Sequence, residues 1–279
     1  MQLSRAEIQQ FIDRALGEDI GRGDMTTFIT IAKGTTFKAT MTARQDLVVC
    51  GIGIAKAVFK RVANEVEFKA FAKDGDRVAA KTAIAEVEGD ARAILAAERT
   101  ALNVMQHLSG ISTMTRRYAE LVQGTGATLI DTRKTIPTLR NLAKYASYVG
   151  GARNHRIRLD DGVLIKDNHI AACGSLTAAV QRAKRATPAL TVVEVECDTL
   201  DQVKEAVAAG ADMILLDNMD PPMLKEAVKI VAGRATLEAS GGITLETIRD
   251  KASTGVDFVS VGRMTQSAPA VDIGLDYGA

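Results

Sequence analysis

Apolar and polar positions follow three rhythms along the chain. Ile8, Phe11, Ile12, Ala15 and Leu16 recur at helical spacing behind a Ser4 and Glu7 capping box, which predicts a helix over 4–16 with one buried face, ended by Gly17. From about 35 to 90 the rhythm shortens to strand-like pieces at 37–43, 65–72 and 82–88. A short helix near 54–62 and a Lys73-Asp74-Gly75-Asp76 turn interrupt them, so this stretch reads as an α+β domain. Helical periodicity returns over 91–123 through Ile94, Leu95, Leu102, Val104, Met105 and Leu108, with a break at Gly110.

Beyond residue 126, apolar runs of four to six residues alternate with helical segments, the signature of parallel βα units. The strands end near Asp131, Lys166, Glu196, Asp217, Ser240 and Gly262, and the last four ends are spaced by 21, 23 and 22 residues. That is close to the shortest length that a strand, a helix and two tight loops require, and its regularity favours a closed over an open sheet. Six or seven strands are visible, so the expected fold is α/β, an incomplete parallel α/β barrel over 110–265 preceded by an α+β domain over 1–109.

Side chains alternate across a strand, so Glu194 and Glu196 share one face of 192–196 while Val193 and Val195 share the other. The same parity groups Glu238 with Ser240, Leu215 with Asp217, Leu164 with Lys166, and Ser260 with Gly262. The valines suit the helix-covered outside, which leaves an ionic interior. Uncompensated carboxylates there would be severely destabilising, and the sequence offers Lys134, Lys166 or a bound metal to offset them. Catalytic groups of parallel barrels gather at the carboxyl ends of the strands, where these residues fall.

Charge sharpens this picture locally rather than globally. The 279 residues carry 35 Lys plus Arg against 34 Asp plus Glu, so no overall field favours nucleic acid or an acidic membrane. Between 131 and 166, however, eight basic residues (133, 134, 140, 144, 153, 156, 158 and 166) face three aspartates (131, 160 and 161), and His155 and His169 lie in or just past this run. Arg140 and Lys144 read as a solvated helix face. Arg133 and Lys134 follow directly on an apolar strand, and Asn154-His155-Arg156 follow Gly150-Gly151, so these basic groups are placed to form an anion cradle. Ser240-Gly241-Gly242 and Val261-Gly262, in consecutive βα loops, resemble a phosphate cup in which backbone amides reach phosphate oxygens. Cys50, Cys173 and Cys197 are odd in number and in no Cys-x-x-Cys spacing, which argues against a disulfide framework or a zinc site; with no signal core or long apolar stretch, the expectation is a cytoplasmic protein.

In order and spacing, several motifs together resemble the quinolinate phosphoribosyltransferase family. They are Glu18-Asp19-Ile20-Gly21-Arg22-Gly23-Asp24-Met25-Thr26-Thr27, Glu98-Arg99-Thr100-Ala101-Leu102-Asn103, Thr132-Arg133-Lys134-Thr135, Asn154-His155-Arg156, Leu164-Ile165-Lys166-Asp167-Asn168-His169, Glu194-Val195-Glu196, Leu216-Asp217-Asn218, Glu238-Ala239-Ser240-Gly241-Gly242 and Ser260-Val261-Gly262. The resemblance implies an amino-terminal sandwich domain rejoined by the tail 266–279, and a homodimer in which Arg99 reaches across the interface. It implies that Arg99, Arg133, His155 and Arg156 surround the two carboxylates of quinolinate, and that Lys134 and Lys166 contact substrate carboxylate and the phosphates of phosphoribosyl pyrophosphate. Glu196 and Asp217 would hold the ribose hydroxyls and the magnesium-bound pyrophosphate, with Thr132, Ser240, Gly241, Gly242, Ser260 and Gly262 completing the substrate site. Mg2+ accompanies phosphoribosyl pyrophosphate and no organic cofactor is implied.

Three positions depart from that pattern: Thr138 where glycine is usual, Arg158 where glycine is common, and Gln266 where histidine is frequent. Three rival readings use the same residues. One is a paralogue of this fold associated with molybdate transport, opposed by the retained Asn154-His155-Arg156 and Lys166-Asp167-Asn168-His169. Another is a Schiff-base aldolase using Lys166. The third is a nucleic-acid binder using the basic run, opposed by the balanced charge, the absence of tryptophan and an aromatic content of 4%, too little for base stacking.

Overall fold

The computed structural model describes residues 1–277. Along the chain the elements are α1 (Arg5–Ile20), α2 (Met25–Thr30), β1 (Thr36–Ala43), β2 (Leu47–Val48), α3 (Ile52–Val62), β3 (Glu67–Ala70), β4 (Arg77–Val78), β5 (Ala83–Asp90) and α4 (Ala91–Val122). Then follow β6 (Thr128–Ile130), α5 (Arg140–Gly150), β7 (Val163–Ile165), α6 (Asp167–Cys173), α7 (Leu176–Ala186), β8 (Val193–Cys197) and α8 (Leu200–Ala209). The last are β9 (Met213–Asp217), α9 (Pro221–Val231), β10 (Thr236–Ser240), α10 (Ile248–Ala252), β11 (Phe258–Ser260), α11 (Arg263–Gln266) and β12 (Ile273–Tyr277).

The chain divides into two compact units. The first comprises residues 1–116, 141–150 and the segment from Ser267 onward; the second comprises 117–140 and 151–266. In the first unit, β12, β1, β5 and β3 form an antiparallel sheet in that order, β2 pairs with β4, and α3 packs on α1 and β3. Ser4 and Glu7 form the capping box reciprocally, at 3.2 and 2.9 Å. Gly17 does not end α1, which runs a further turn to Gly21, where the backbone turns left-handed at φ 55°. A single interior glycine costs a helix only about 1 kcal/mol, too little to stop one with a buried face. Gly110 does not break α4 either. A Cβ at that position would lie 2.2 Å from the Pro269 carbonyl oxygen, so the glycine serves close approach of the tail, not a bend.

The second unit is a parallel six-stranded sheet in the order β6-β11-β10-β9-β8-β7. On the outer side of β6, Arg153 adds a single parallel bridge, its N–H donating to Leu129 O at 2.9 Å and its carbonyl accepting from Asp131 N at 3.1 Å. The expected seventh strand is therefore this one-residue contact, consistent with an open barrel. Val193, Val195 and Cys197 are fully buried, as is Ile214 on β9. Each such apolar side chain contributes on the order of 1.5–3 kcal/mol.

Candidate functional site

The parity inferred for the strands places one set of side chains around a cavity of about 580 Å³ at the carboxyl ends of the sheet, a volume suited to a small ligand. Leu164 and Lys166, Glu196, Leu215 and Asp217, Glu238 and Ser240, and Ser260 and Gly262 all line it, each from the inward face of its strand. Thr132, Arg133, Lys134, His155, Arg156, Gly241 and Gly242 complete the set expected from the sequence. Arg99 alone is not brought there: it is exposed on α4 in the first unit. Five basic side chains, Arg133, Lys134, Arg156, Lys166 and Arg263, meet three acidic ones, Glu196, Asp217 and Glu238, so the cavity favours an anionic occupant.

The basic wall is built on Asp131 at the end of β6. Its carboxylate is fully buried, accepting from His155 N at 2.9 Å and from Asn154 Nδ2 at 2.7 Å, which fixes the segment carrying His155 and Arg156. Arg156 Nη1 donates to Gly162 O at 2.9 Å. Arg156 Nε and Arg133 Nε are buried with no hydrogen-bond partner among the described residues. Burial first, and then the like charge of Arg133, hold the Arg156 guanidinium below its ordinary pKa. Two adjacent guanidinium groups with unused donors are a site prepared for carboxylate. Lys134 is held by its own backbone: its N–H donates to Thr132 Oγ1 at 3.1 Å and its carbonyl accepts from Thr265 Oγ1 at 2.8 Å. Gly262 faces its side chain so closely that a Cβ would sit 2.9 Å from Lys134 Cδ.

The opposite wall carries carboxylates and glycines. Glu196 accepts from Lys166 Nζ at 2.8 Å. Burial, reinforced by Asp198, raises the pKa of Asp217 above the usual carboxylate value. Its Oδ2 accepts from Asn218 Nδ2 at 2.6 Å, while Asn218 N donates to Ser240 O at 3.0 Å from a left-handed backbone at φ 55°. Gly241, at φ 86°, leaves the space that the Asn218 amide fills: a Cβ there would lie 2.2 Å from Asn218 Oδ1. Ser260 Oγ donates to Ser240 Oγ at 3.0 Å, tying the two glycine-bearing strand ends together.

At the floor, His155 Nε2 lies 3.1 Å from Glu194 Oε2 and 3.5 Å from Glu238 Oε2. Among the described residues these three groups bring ligand atoms within 4.8 Å of one another, a geometry that could hold a metal ion. Burial lifts the Glu194 carboxyl to about 7 against the opposing pull of His155. Burial disfavours charge on His155, but the two glutamates outweigh it and would carry the ring to about 9; Arg156 N donating to Nδ1 at 2.7 Å opposes a second ring proton. With Nδ1 accepting from the Arg156 amide, the ring proton lies on Nε2, facing Glu194.

Several expectations change. The deep carboxylates Glu194 and Glu238 are met by His155, not by a lysine. Lys144 is fully buried in the first unit rather than part of a solvated face, while Arg140 is half-buried and donates to Thr135 Oγ1 at 3.2 Å. His169 caps α6, with Nδ1 accepting from Lys166 N at 2.9 Å, and does not line the cavity. Thr138 holds φ 70°, a strained value for a β-branched residue. Arg158 is exposed outside the lining, whereas Gln266 is part of it. Asp131 and Asn218 were missed as site-building residues. The one local signal for each is a polar residue directly after the last residue of a strand.

Comparison with known proteins agrees with this geometry. Residues 24–109 match the model of the quinolinate phosphoribosyl transferase N-terminal domain and residues 111–276 that of its C-terminal domain. The chain is 42% identical over 271 residues to the nicotinate-nucleotide pyrophosphorylase [carboxylating] of Mycobacterium leprae, covering 95% of each. It is 40% identical over 274 residues to the probable enzyme of that name from Bacillus subtilis, covering 98% of this chain and 94% of the relative. The structure of the nicotinate-nucleotide pyrophosphorylase from Francisella tularensis superposes with a TM-score of 0.95 at 38% identity, covering 99% and 98% of the two chains.

Proposed function

The chain belongs to the quinolinate phosphoribosyltransferase family, and on that premise we propose that it converts quinolinate and phosphoribosyl pyrophosphate to nicotinate mononucleotide, pyrophosphate and carbon dioxide, a step of NAD biosynthesis. The observation that carries the reading is that Arg133 and Arg156, both half-buried, keep buried Nε donors without a hydrogen-bond partner among the described residues, in the same cavity as Glu196, Asp217 and the Ser240-Gly241-Gly242 turn. One wall suits a diacid and the other suits a phosphorylated sugar.

The pyridine nitrogen needs no base, so the work of the site is alignment and electrostatics. Nitrogen attacks C1 of the ribose as the bond to pyrophosphate breaks. Glu196 and Asp217 stand where a ribose ring gaining positive charge is stabilised, and Lys134 and Lys166 stand where departing phosphate charge is met. The ring nitrogen, now cationic, accepts the electron pair of the adjacent carbon–carboxyl bond into its field as carbon dioxide leaves. A proton then takes the vacated position. Glu196 and Asp217 fit a Mg2+ ion that arrives with the pyrophosphate, since this hard cation takes one or two carboxylates plus substrate phosphates. Lys166, ion-paired with Glu196, suits a cation that grips anions rather than a Schiff-base nucleophile.

The same proposal includes a homodimer in which Arg99 of one copy completes the cavity of the other. In support, Arg99 is exposed, and Met25, Phe28 and Ile29 of the same unit are 75%, 72% and 72% exposed, an apolar surface of the kind that a partner covers. Placement in the cytoplasm is a further part of it, supported by three free cysteines. No helix of the described residues is long and apolar enough to cross a membrane. The test is incubation with quinolinate, phosphoribosyl pyrophosphate and magnesium, with nicotinate mononucleotide detected by mass. Product from nicotinate but not quinolinate would reject the assignment.

A further inference from the structure

We propose that Arg263 is a further binding residue, whose guanidinium grips the phosphate monoester of the sugar donor beside the Ser240-Gly241-Gly242 turn. This rests on the donor proposed above and supplies the cation that its 5′ end requires.

Arg263 opens α11, two residues beyond Val261 and directly after Gly262. The short helix is firmly anchored. Met264 and Thr265 are buried, Thr265 Oγ1 donates to Lys134 O at 2.8 Å, and Gln266 N donates to Gly262 O at 2.9 Å. Residues three apart on a helix share a face, and Arg263 and Gln266 both line the cavity while the two residues between them are buried. The Arg263 guanidinium is exposed, and it donates no hydrogen bond and makes no ion pair among the described residues. A bond to Thr244 first, and beyond it the charges of Arg263 and Arg117, hold the Glu246 carboxyl below its ordinary pKa, so two guanidinium groups stand near one carboxylate at this edge.

The wall beside Arg263 needs a cation. Apart from Glu238 at its floor, Ser240, Gly241, Gly242, Thr244, Ser260 and Gly262 offer only neutral hydroxyl and amide groups, whereas a phosphate monoester carries about −1.5 to −2 charge at pH 7. Arg263 is the one basic residue that β10, β11 and the segments after them contribute to the lining. Arg133, Lys134 and Arg156 come from the segments after β6, and Lys166, from the end of β7, is paired with Glu196 at 2.8 Å. A planar guanidinium takes two phosphate oxygens at once and leaves the third to the turn.

Three probes each carry one anionic part of the two substrates: ribose 5-phosphate the monoester, pyrophosphate with magnesium the diphosphate, and benzene-1,2-dicarboxylate the diacid. Each is titrated calorimetrically into the full-length protein and into Arg263→Ala, Arg263→Lys and Lys134→Ala. In Arg263→Ala the affinity for ribose 5-phosphate should fall about five- to twentyfold, toward the low end of what a charged hydrogen bond is worth because the group is open to solvent. The other two probes should weaken by less than about twofold. Arg263→Lys keeps the charge without the fork and should fall between wild type and alanine. Thermal melts of the Arg263 variants should match wild type, since the side chain bonds nothing in the fold. A wild type that does not bind ribose 5-phosphate, unchanged affinity in Arg263→Ala, or equal weakening of all three probes would overturn the proposal. So would loss of ribose 5-phosphate affinity in Lys134→Ala alone, which would give the monoester to Lys134. Turnover of quinolinate with phosphoribosyl pyrophosphate by the wild type tests the underlying reading separately, so the two can fail independently.

Discussion

Acidic residues stand at both ends of the six-stranded sheet, and they are used in opposite ways. At the amino ends, Asp212 Oδ2 accepts from Val193 N at 2.9 Å while its other oxygen pairs with Lys184, and Asp257 Oδ2 accepts from Leu237 N at 2.7 Å. Each stitches one strand to the start of its neighbour. At the carboxyl ends Arg133 Nε and Arg156 Nε, and deeper along β8 and β10 Glu194 Oε1 and Glu238 Oε2, are buried without a partner among the described residues. The residue types alone do not separate the ends; what separates them is whether the hydrogen-bonding capacity is spent within the fold or held for a ligand. Barrels place stability at the first end and chemistry at the second.

The contrast breaks most sharply at the arginines. Arg133→Ala or Arg156→Ala should weaken quinolinate binding by about 2–5 kcal/mol, because a buried substrate carboxylate loses its partner. Thermal melts should show no loss of stability for ligand-free Arg133→Ala and a loss of about 1 kcal/mol for Arg156→Ala, which also gives up its bond to Gly162 O. Unchanged affinity in calorimetry would remove the diacid site. The converse variant, Asp257→Ala, orphans the Leu237 amide and should cost about 1–3 kcal/mol in urea unfolding while leaving the KM for quinolinate unchanged. A raised KM with full stability would erase the distinction between the ends. Thr138→Gly, which relieves a backbone held at φ 70°, should raise stability by roughly 1 kcal/mol.

The smallest effect is on pH dependence. Although burial opposes it, Lys184 and the Val193 amide hold the Asp212 pKa below its ordinary value. A carboxylate lowered on folding adds stability that is complete above the unfolded value, about 3.9, and is lost as pH falls through the folded one. The stability gap between wild type and Asp212→Asn should therefore be flat from pH 7 to about 5 and close below about 4. A gap that widened in acid would show that Asp212 is not the anion described.

Much of this was legible in the sequence, and the exceptions have physical causes. Strand parity and the spacing of strand ends located the inward charges because βα units of minimal length leave little freedom in register. Lys144 was misread because Arg140 and Lys144 are one helical turn apart, and that pattern is identical whether the face meets water or a buried partner. The sequence predicts breaks at Gly17 and Gly110 because glycine weakens a helix locally, whereas burial along α1 and close approach of Pro269 are tertiary effects. Glu194 and Glu238 were visible as inward-facing, but their shared contact is a histidine more than 35 residues away in the chain, which no local pattern reports. The role of Arg99 came from the family likeness alone, since an exposed helical arginine carries no signal of its own.

The central claim is that the cavity holds a diacid and a phosphorylated sugar together, so that loss of carbon dioxide follows transfer of the ribose. The most direct test is a single-turnover reaction with quinolinate labelled in the carboxyl group next to the ring nitrogen, in which labelled carbon dioxide and pyrophosphate are counted in the same quench. The account predicts equal amounts of both and no labelled gas when phosphoribosyl pyrophosphate is omitted; decarboxylation without the sugar donor would contradict it.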